Sequence, residues 1–86
     1  MELFGQTQAN LNITYAGMNG DLPDTVPYDL DDGSIRRIAT EAIAGGVAGI
    51  TATAGADLTD FVVDRFAATN DLPARIVLRP KTPFGG

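Results

Sequence analysis

The sequence contains no cysteine and no histidine. The chain therefore has no thiol nucleophile and no disulfide, and it lacks the side chains that most often titrate near neutral pH or bind zinc, haem and iron–sulfur clusters. Its single serine, Ser34, has no histidine to activate it as a nucleophile. We therefore expect a protein that is not an enzyme and has no metal site and no cofactor of its own. A chain without disulfides is also typical of the cytoplasm.

Positive charge is scarce as well. Six lysine and arginine residues stand against eleven acidic residues, which gives a net charge of −5, and five of the acids lie between residues 21 and 32. Such a surface repels phosphate backbones, so nucleic acid is not an expected partner. The acids within 29–33 do not match a calcium-binding loop, because its sixth position would be Ser34 instead of glycine and its twelfth Thr40 instead of glutamate. They predict a capped helix start instead.

The apolar segments are too short to predict a membrane helix. The charge-free stretch 42–56 consists only of Ala, Gly, Ile, Val and Thr, and it is too short and too rich in glycine to cross about 30 Å of hydrocarbon. The first residues, Met1 to Phe4, lack the basic start of a signal peptide. We expect a cytoplasmic protein that does not contact a membrane.

The length of 86 residues suits one small domain. We expect a loose lead-in over residues 1–9, a folded domain over residues 10–79 and a flexible tail over residues 80–86. The tail has two prolines, two glycines and no apolar periodicity, so it is not expected to form a strand.

A hairpin is predicted near the start of the folded domain. Apolar and polar residues alternate from Asn10 to Ala16, which indicates a half-buried strand. Asn19-Gly20 then predicts the turn, because both residues tolerate positive φ. The second arm, at about residues 21–30, contains Pro23 and Pro27 and is expected at a sheet edge.

The clearest helix signal begins at residues 31–34, where Asp32 or Ser34 is the expected N-cap. Gly45-Gly46 ends the helical pattern as a C-cap does. These glycines follow a helix and do not open one, so they do not predict a phosphate-binding loop. Between the two ends, apolar residues recur at helical spacing and form one stripe: Ile35, Ile38, Ala39, Ala42 and Ile43.

The rest of the domain gives one clear strand and two ambiguous segments. Residues 47–56 are ambiguous, since 47–50 fit a segment tucked under the sheet while 51–55 look like a flexible loop. Residues 57–68 fit a strand or a helix face, and we favour the strand because of Phe61-Val62-Val63. A turn at 70–73 leads to a central strand from Ala74 to Arg79. The predicted core consists of Leu11, Ile13, Tyr15, Ile35, Ile38, Ile43, Ile76 and Leu78.

The order hairpin, helix, strand, strand and Gly-Gly tail resembles the α+β fold of ubiquitin-like proteins, the β-grasp, which includes the sulfur carriers of molybdopterin and thiamine synthesis. The similarity spans residues 10–86. Its most specific part is Arg75-Ile76-Val77-Leu78-Arg79, which is similar to His-Leu-Val-Leu-Arg in ubiquitin's last strand and likewise precedes a Gly-Gly end. Gly49-Ile50 after the helix is also similar to ubiquitin.

The tail departs from that of ubiquitin. It is three residues longer when counted from the last arginine of the strand, and no lysine-rich face accompanies it, which excludes a eukaryotic ubiquitin. A final Gly85-Gly86 is narrow enough to enter the channel of an enzyme that activates a carboxylate with ATP. Between the strand and these glycines lie Pro80, Lys81, Thr82, Pro83 and Phe84.

The acidic chain looks most like a bacterial ubiquitin-like modifier of the kind encoded beside E1-like, E2-like and JAB-type peptidase genes. This resemblance implies activation at Gly86 by an E1-like enzyme, transfer through an E2-like enzyme to target proteins, and removal by a JAB-type or other deconjugating peptidase, in antiviral defence. The partner enzyme uses the ATP. Whether Gly86 is encoded as the last residue or exposed by processing stays open.

The last strand also predicts a docking face. Strand alternation places Arg75, Val77 and Arg79 together, opposite Ile76 and Leu78. We expect this face to contact the E1-like partner, and the alternative is that both arginines are merely solvated.

Two other function classes remain open at this level. A sulfur carrier would use the same terminus as a thiocarboxylate, and its partner would be a cofactor synthase. A small structural or assembly module would pair non-covalently through a strand edge and would not need Gly86.

Overall fold

The computed structural model describes residues 7–81 and has the predicted α+β architecture. A five-stranded mixed sheet carries one helix on one face. In chain order the elements are β1 (Gln8–Tyr15), β2 (Met18–Asp21), β3 (Val26–Pro27), α1 (Asp32–Gly45), β4 (Val62–Phe66) and β5 (Ala74–Arg79).

The first strand begins at Gln8, two residues before the predicted domain boundary. Ala9 is fully buried and pairs with Ala74 of β5 on one side and Val26 of β3 on the other. Thr7 also contributes, because its carbonyl accepts the backbone N–H of Tyr28 at 2.9 Å. The expected lead-in is therefore wrong for residues 8 and 9, which belong to the sheet, and residues 1–6 lie outside the described part.

The hairpin turn lies at Ala16-Gly17, so the prediction of a turn at Asn19-Gly20 is wrong. Ala16 and Gly17 have φ angles of 52° and 78°, the positive values that a tight two-residue hairpin turn requires. Asn19 and Gly20 lie inside β2 instead, where Gly20 pairs with the fully buried Ile13 of β1. Burial of one face of β1 fixes this register, and that requirement outweighs the local turn preference of Asn-Gly.

The predicted second arm at residues 21–30 is largely irregular. Of this arm, Asp21 is the last residue of β2, which pairs with the C-terminal part of β1. Val26–Pro27 pair with the N-terminal end of β1. Pro23 lies in the connection between them and Pro27 at the end of the short β3. The prolines thus interrupt the arm, since neither can donate a ladder hydrogen bond.

The helix has the predicted extent but a different N-cap. Asp31, with extended backbone, accepts the Ser34 N–H at 3.2 Å and the Ser34 hydroxyl at 2.7 Å. Asp32 and Ser34, the predicted caps, are both inside the helix, because the helix begins at Asp32 and the residue just before it is the one that caps the free N–H groups of the first turn. At the other end Gly46 has φ of 84° and donates to the Ile43 carbonyl at 3.2 Å, as predicted for the C-cap.

Residues 62–66 form a strand, which confirms the interpretation that we favoured. Two arginines connect this edge of the sheet to α1 and to the segment that precedes α1. Arg36 of α1 donates two hydrogen bonds to the Phe61 carbonyl, at 2.9 and 3.2 Å. Arg65 donates to the Tyr28 carbonyl at 2.8 Å and forms a 2.6 Å ion pair with Asp32.

The sheet order is β2-β1-β5-β4, with β3 also paired to β1. β5 lies at the centre, as predicted, parallel to β1 and antiparallel to β4. The parallel pairing of β1 and β5 requires a long crossover connection, which α1 supplies. The ambiguous segment after α1 makes a tight turn in which Val47 pairs with Ile50, and Ile50 is buried.

The core lies between α1 and the inner face of the sheet. Six of the eight predicted core residues are fully buried, namely Leu11, Ile13, Ile35, Ile43, Ile76 and Leu78. Tyr15 and Ile38 are only partly buried and pack against the edge of the core. Within residues 7–81, no helix is long and apolar enough to cross a membrane.

Candidate functional site

The face of the sheet opposite α1 is not covered by any other element of residues 7–81, and we call it the open face. The alternation in β5 is as predicted, since Ile76 and Leu78 point into the core while Arg75 is exposed and Val77 is half-buried. Arg79 is half-buried on the same face as Arg75 and Val77. The structure therefore brings together the three residues of the predicted docking face.

Arg75 stacks on an aromatic ring of the neighbouring strand. It pairs with Phe66 of β4, and its guanidinium carbon lies 4.5 Å from the centre of the Phe66 ring. This cation–π contact places the guanidinium over the ring, although 43% of Phe66 remains exposed. The positive charge and the aromatic surface are thus presented together.

A second exposed apolar residue lies near Arg75. Leu72 is 59% exposed and, with Pro73, Arg75 and Val77, lines one side of a shallow groove of about 380 Å³. We call Phe66, Leu72, Arg75 and Val77 the Phe66–Arg75 patch. Both exposed large hydrophobic side chains of residues 7–81 belong to it. Clustering of such residues around one cation is typical of a protein contact surface.

Arg79 is engaged within the sheet. Its Nε lies 2.7 Å from Oδ2 of Asp64, and the two side chains are 37% and 35% exposed. Asp64 pairs with Val77, so the ion pair runs diagonally from β4 to β5. Arg79 therefore neutralises a carboxylate of its own chain, and Arg75 is the arginine better presented for docking.

The other half of the open face is a network of amides. Asn12 donates through Nδ2 to Asn19 at 2.9 Å and to Asp21 at 2.8 Å. Asn19 donates in return to Asn12 and to Thr14, both at 2.9 Å. These groups satisfy one another across β1 and β2, so this half is a self-contained polar surface. Asn12 and Thr14 thus serve to link β1 to β2 through their side chains.

The predicted conjugation site follows β5. Pro80 and Lys81 are exposed. The remaining tail residues Thr82, Pro83 and Phe84 and the conjugation residues Gly85 and Gly86 lie outside the described part of the chain. The described part of the chain thus includes the strand that precedes the tail and the first two tail residues.

Two carboxyl groups have lowered pKa values, and both are local structural groups. The hydroxyl and backbone N–H of Ser34 lower the pKa of Asp31, and those of Thr59 lower the pKa of Asp57. Both are exposed, and their partners are two or three residues away in the sequence. Hydrogen bonds to the ionised form account for both pKa shifts. Within residues 7–81 no group of three or more acidic side chains is arranged to hold a metal ion.

Sequence reasoning missed Phe66, Leu72 and Asp64 as parts of this surface. Once residues 62–66 are read as a strand, the alternation puts Asp64 and Phe66 on the same face, so a signal for these two was present. Leu72 lies in a turn, and nothing in its sequence neighbourhood indicates its exposure.

No family model, no curated protein and no solved structure matches this chain.

Proposed function

We propose that the chain is a β-grasp protein and a ubiquitin-like modifier that is joined to targets through the carboxylate of Gly86. The observation that carries the proposal is the sheet order β2-β1-β5-β4, in which the last strand lies at the centre, parallel to the first, and one helix makes the crossover. A hairpin, a crossing helix and a central final strand are what the β-grasp interpretation requires. The arginine-flanked sequence of β5 adds to this support.

The position of β5 suits the presentation of a tail. Pairing with β1 and β4 anchors the strand on both sides up to Leu78, and pairing with β4 extends to Arg79. Pro80 cannot continue the ladder, because it has no N–H. Seven residues beyond Arg79 span roughly 20 to 25 Å when extended, enough to carry a carboxylate into a partner's active site.

In the proposed reaction, this chain supplies only the carboxylate of Gly86. In an E1-like enzyme that carboxylate attacks the α-phosphorus of ATP, which releases pyrophosphate and leaves an acyl adenylate. A cysteine thiolate of the enzyme then displaces AMP to form a thioester. After exchange onto the thiol of an E2-like enzyme, a nucleophile of the target attacks the thioester and releases that thiol. A JAB-type or other peptidase would hydrolyse the product.

The Phe66–Arg75 patch is the proposed contact with the E1-like enzyme. Arg75 offers a cation on a chain with net charge −5, and Phe66 and Leu72 offer apolar area that folding leaves exposed. An exposed arginine next to aromatic and aliphatic side chains is a favourable centre for a protein interface.

The proposal is tested with the E1-like enzymes of the source genome. Incubation of the full chain with such an enzyme and ATP should give pyrophosphate release and a thioester that thiol reagents cleave. A chain that lacks Gly85 and Gly86 should give neither product, while its thermal unfolding should be unchanged. Equal activity of the truncated chain, or no activation by any of these enzymes, contradicts the proposal.

Two measurements separate the other function classes. Intact mass spectrometry of the chain after activation separates the two covalent classes. A sulfur carrier shows the mass change of sulfur for oxygen at Gly86, whereas a modifier is found attached to other proteins. A non-covalent assembly module is favoured by one observation, the exposure of Phe66 and Leu72 on the open face. Residues appended after Gly86 would leave the activity of such a module intact and would block both others.

A further inference from the structure

The Phe66–Arg75 patch lies at the end of the sheet where β1 begins. Asn10 of β1 pairs with Arg75 of β5, and Arg75 pairs in turn with Phe66 of β4. Thr7 is three residues before Asn10 in the sequence. Residues 1–6, which we call the leading segment, are therefore joined to the sheet at the end that carries the patch.

The patch is within reach of the leading segment. Three residues of extended chain separate Thr7 from Asn10 by about 10 Å, and neighbouring strands are about 4.8 Å apart. The Cα atom of Arg75 therefore lies on the order of 11 Å from that of Thr7. Six extended residues span up to about 20 Å, so the leading segment is long enough to turn back and cross the patch.

The patch offers two kinds of contact that residues 7–81 leave unused. Phe66 and Leu72 are 43% and 59% exposed, so both present apolar area to solvent. The guanidinium of Arg75 lies over the Phe66 ring and has no carboxylate partner in the described part of the chain, where the two ion pairs involve other arginines. A complementary occupant therefore needs apolar side chains and one negative charge.

The leading segment has this composition. Its sequence is Met-Glu-Leu-Phe-Gly-Gln, in which Leu3-Phe4 supplies the apolar side chains and Glu2 the only charged side chain. Gly5 lies between them and the sheet, and glycine permits the sharp turn that a return to the patch requires. The tail over residues 80–86 is less suitable, because it follows the opposite end of β5 and has no acidic side chain.

We propose that the leading segment binds to the Phe66–Arg75 patch of its own chain. Leu3 and Phe4 would cover the exposed apolar side chains of the patch, and the carboxylate of Glu2 would accept hydrogen bonds from the guanidinium of Arg75. The short connection favours this contact, because tethering gives the segment an effective concentration in the millimolar range. The contact does not depend on conjugation or on any partner enzyme, and a protein that binds the patch has to displace the segment.

A nitroxide label beside the patch tests the proposal, and the absence of cysteine from the chain permits a single labelling site. Asp71→Cys places the label on an exposed turn residue next to Leu72. In the ¹⁵N-labelled full chain we expect the label to broaden the amide signals of Leu3 and Phe4. The paramagnetic relaxation rates of these two amides measure how much of the segment is bound to the patch.

Matched variants separate a bound segment from one that is merely tethered nearby. Arg75→Gln should reduce both relaxation rates about 1.5- to 3-fold, because loss of an exposed ion pair shifts a binding equilibrium about two- to fivefold. Arg37→Gln is the control and should leave the rates unchanged, since Arg37 is an exposed arginine of α1, away from the open face. Glu2→Lys should act like Arg75→Gln, and the double variant Glu2→Lys/Arg75→Glu should restore the rates.

A mixed sample tests whether the segment binds within one chain. It combines nitroxide-labelled chain without ¹⁵N and ¹⁵N-labelled chain without nitroxide, and we expect no broadening at Leu3 and Phe4. Broadening in this sample would show that the occupant is a second copy and would overturn the proposal. Relaxation rates that are the same in the original chain and Arg75→Gln, or that the double variant fails to restore, would overturn it as well.

Discussion

Gly49 lies against Gly20 with no room for a side chain between the two backbones. A Cβ on Gly49 would lie 3.3 Å from the Cα of Gly20 and would clash with the carbonyl oxygen of Asn19. A Cβ on Gly20 would in turn clash with the carbonyl oxygen of Ala48. The tight turn after α1 is thereby seated directly on β2, and the two glycines fix how the helix end meets the sheet.

Alanine at either glycine should therefore destabilise the fold. We expect Gly20→Ala to lower the free energy of unfolding by about 1 to 3 kcal/mol, the range for overpacking. Gly49→Ala should cost at least as much, because its φ of +96° is also unfavourable for alanine. Gly45→Ala is the control, since a Cβ there meets nothing within 4 Å and its φ is not in the left-handed range. Denaturant unfolding measures all three, and equal stabilities would refute the close packing.

Two isoleucines of α1 should differ in their contribution to stability. Ile35 is fully buried, and Ile35→Ala should cost about 2 to 5 kcal/mol, a large part of the stability of a domain this small. Ile38 is only partly buried, so Ile38→Ala should cost clearly less. Urea unfolding of the two variants compares them directly. A larger loss for Ile38→Ala would mean that the helix is rotated relative to the described packing.

The N-cap should give the fold a measurable acid sensitivity. Hydrogen bonds from Ser34 lower the pKa of Asp31 below its ordinary value of 3.8, so the ionised form stabilises the native state. This contribution is present above 3.8 and is lost as the pH falls through the lowered pKa. Asp31→Ala should lower the melting temperature at neutral pH, and the difference from the original chain should shrink in acid.

Asp29→Ala is the matched control for that experiment. Asp29 is an exposed acid two residues before the cap, and its side chain makes no hydrogen bond within residues 7–81. A pH-independent difference between the original chain and Asp31→Ala would show that Asp31 does not act through its charge.

The Phe66–Arg75 patch should determine the rate of activation by an E1-like enzyme. Phe66→Ala and Arg75→Ala should each reduce kcat/KM for activation by at least about tenfold, the loss that follows from truncation of an interface hot spot. The double variant should lose less than the product of the two, because the side chains stack on each other.

The Asp64–Arg79 ion pair provides the control for the patch. Asp64→Asn weakens an ion pair that is more than one-third exposed, so the effect on stability should be small. We expect it to leave kcat/KM unchanged. Arg79→Glu is less suitable as a control, because it would place two carboxylates side by side and disturb the sheet locally. Equal activation of the original chain, Phe66→Ala and Arg75→Ala would remove the patch from the proposed interface.

The lysine content predicts the form of the conjugates. Lys81 is the only lysine, and it lies five residues before Gly86, where a bound activating enzyme would cover it. Targets should therefore carry single copies, not chains. Trypsin cuts after Lys81, the last basic residue of the chain, and should leave Thr82-Pro83-Phe84-Gly85-Gly86 on the modified side chain. Peptide mass spectrometry detects this remnant, and multimers that persist in Lys81→Arg with a blocked N-terminus would contradict the expectation.

Regular periodicity predicted the parts of the fold that burial determines. The alternation of Leu11 and Ile13 in β1 and of Ile76 and Leu78 in β5, and the helical stripe of Ile35, Ala39 and Ile43, all describe faces that lie in the core. Each of these faces is determined by the burial of apolar side chains, and the positions of apolar residues can be read directly from the sequence.

The failures occurred where a local signal met a requirement of the tertiary fold, or where several neighbouring residues gave the same local signal. Asn19-Gly20 is a good turn sequence, but a turn there would have shifted the register that buries Ile13 opposite Gly20. Asp31, Asp32 and Ser34 are all acceptable caps, and only the three-dimensional start of the helix selects Asp31. Of the candidate site, the face of Arg75 and Val77 follows from alternation. The stacking of Phe66 on Arg75 does not, because it depends on the register between β4 and β5.

The parallel pairing of β1 and β5 also determines how the domain responds to a pulling force. Ala9 is next to Ala74 and Ile13 is next to Leu78, so the two strands run in the same direction at the centre of the sheet. A force that pulls the start of β1 and the end of β5 apart therefore acts along the strands, and the hydrogen bonds between them share the load. They must break nearly together and not one after another. An unfolding machine that grips the chain beyond Arg79 would thus meet its greatest resistance at the first step.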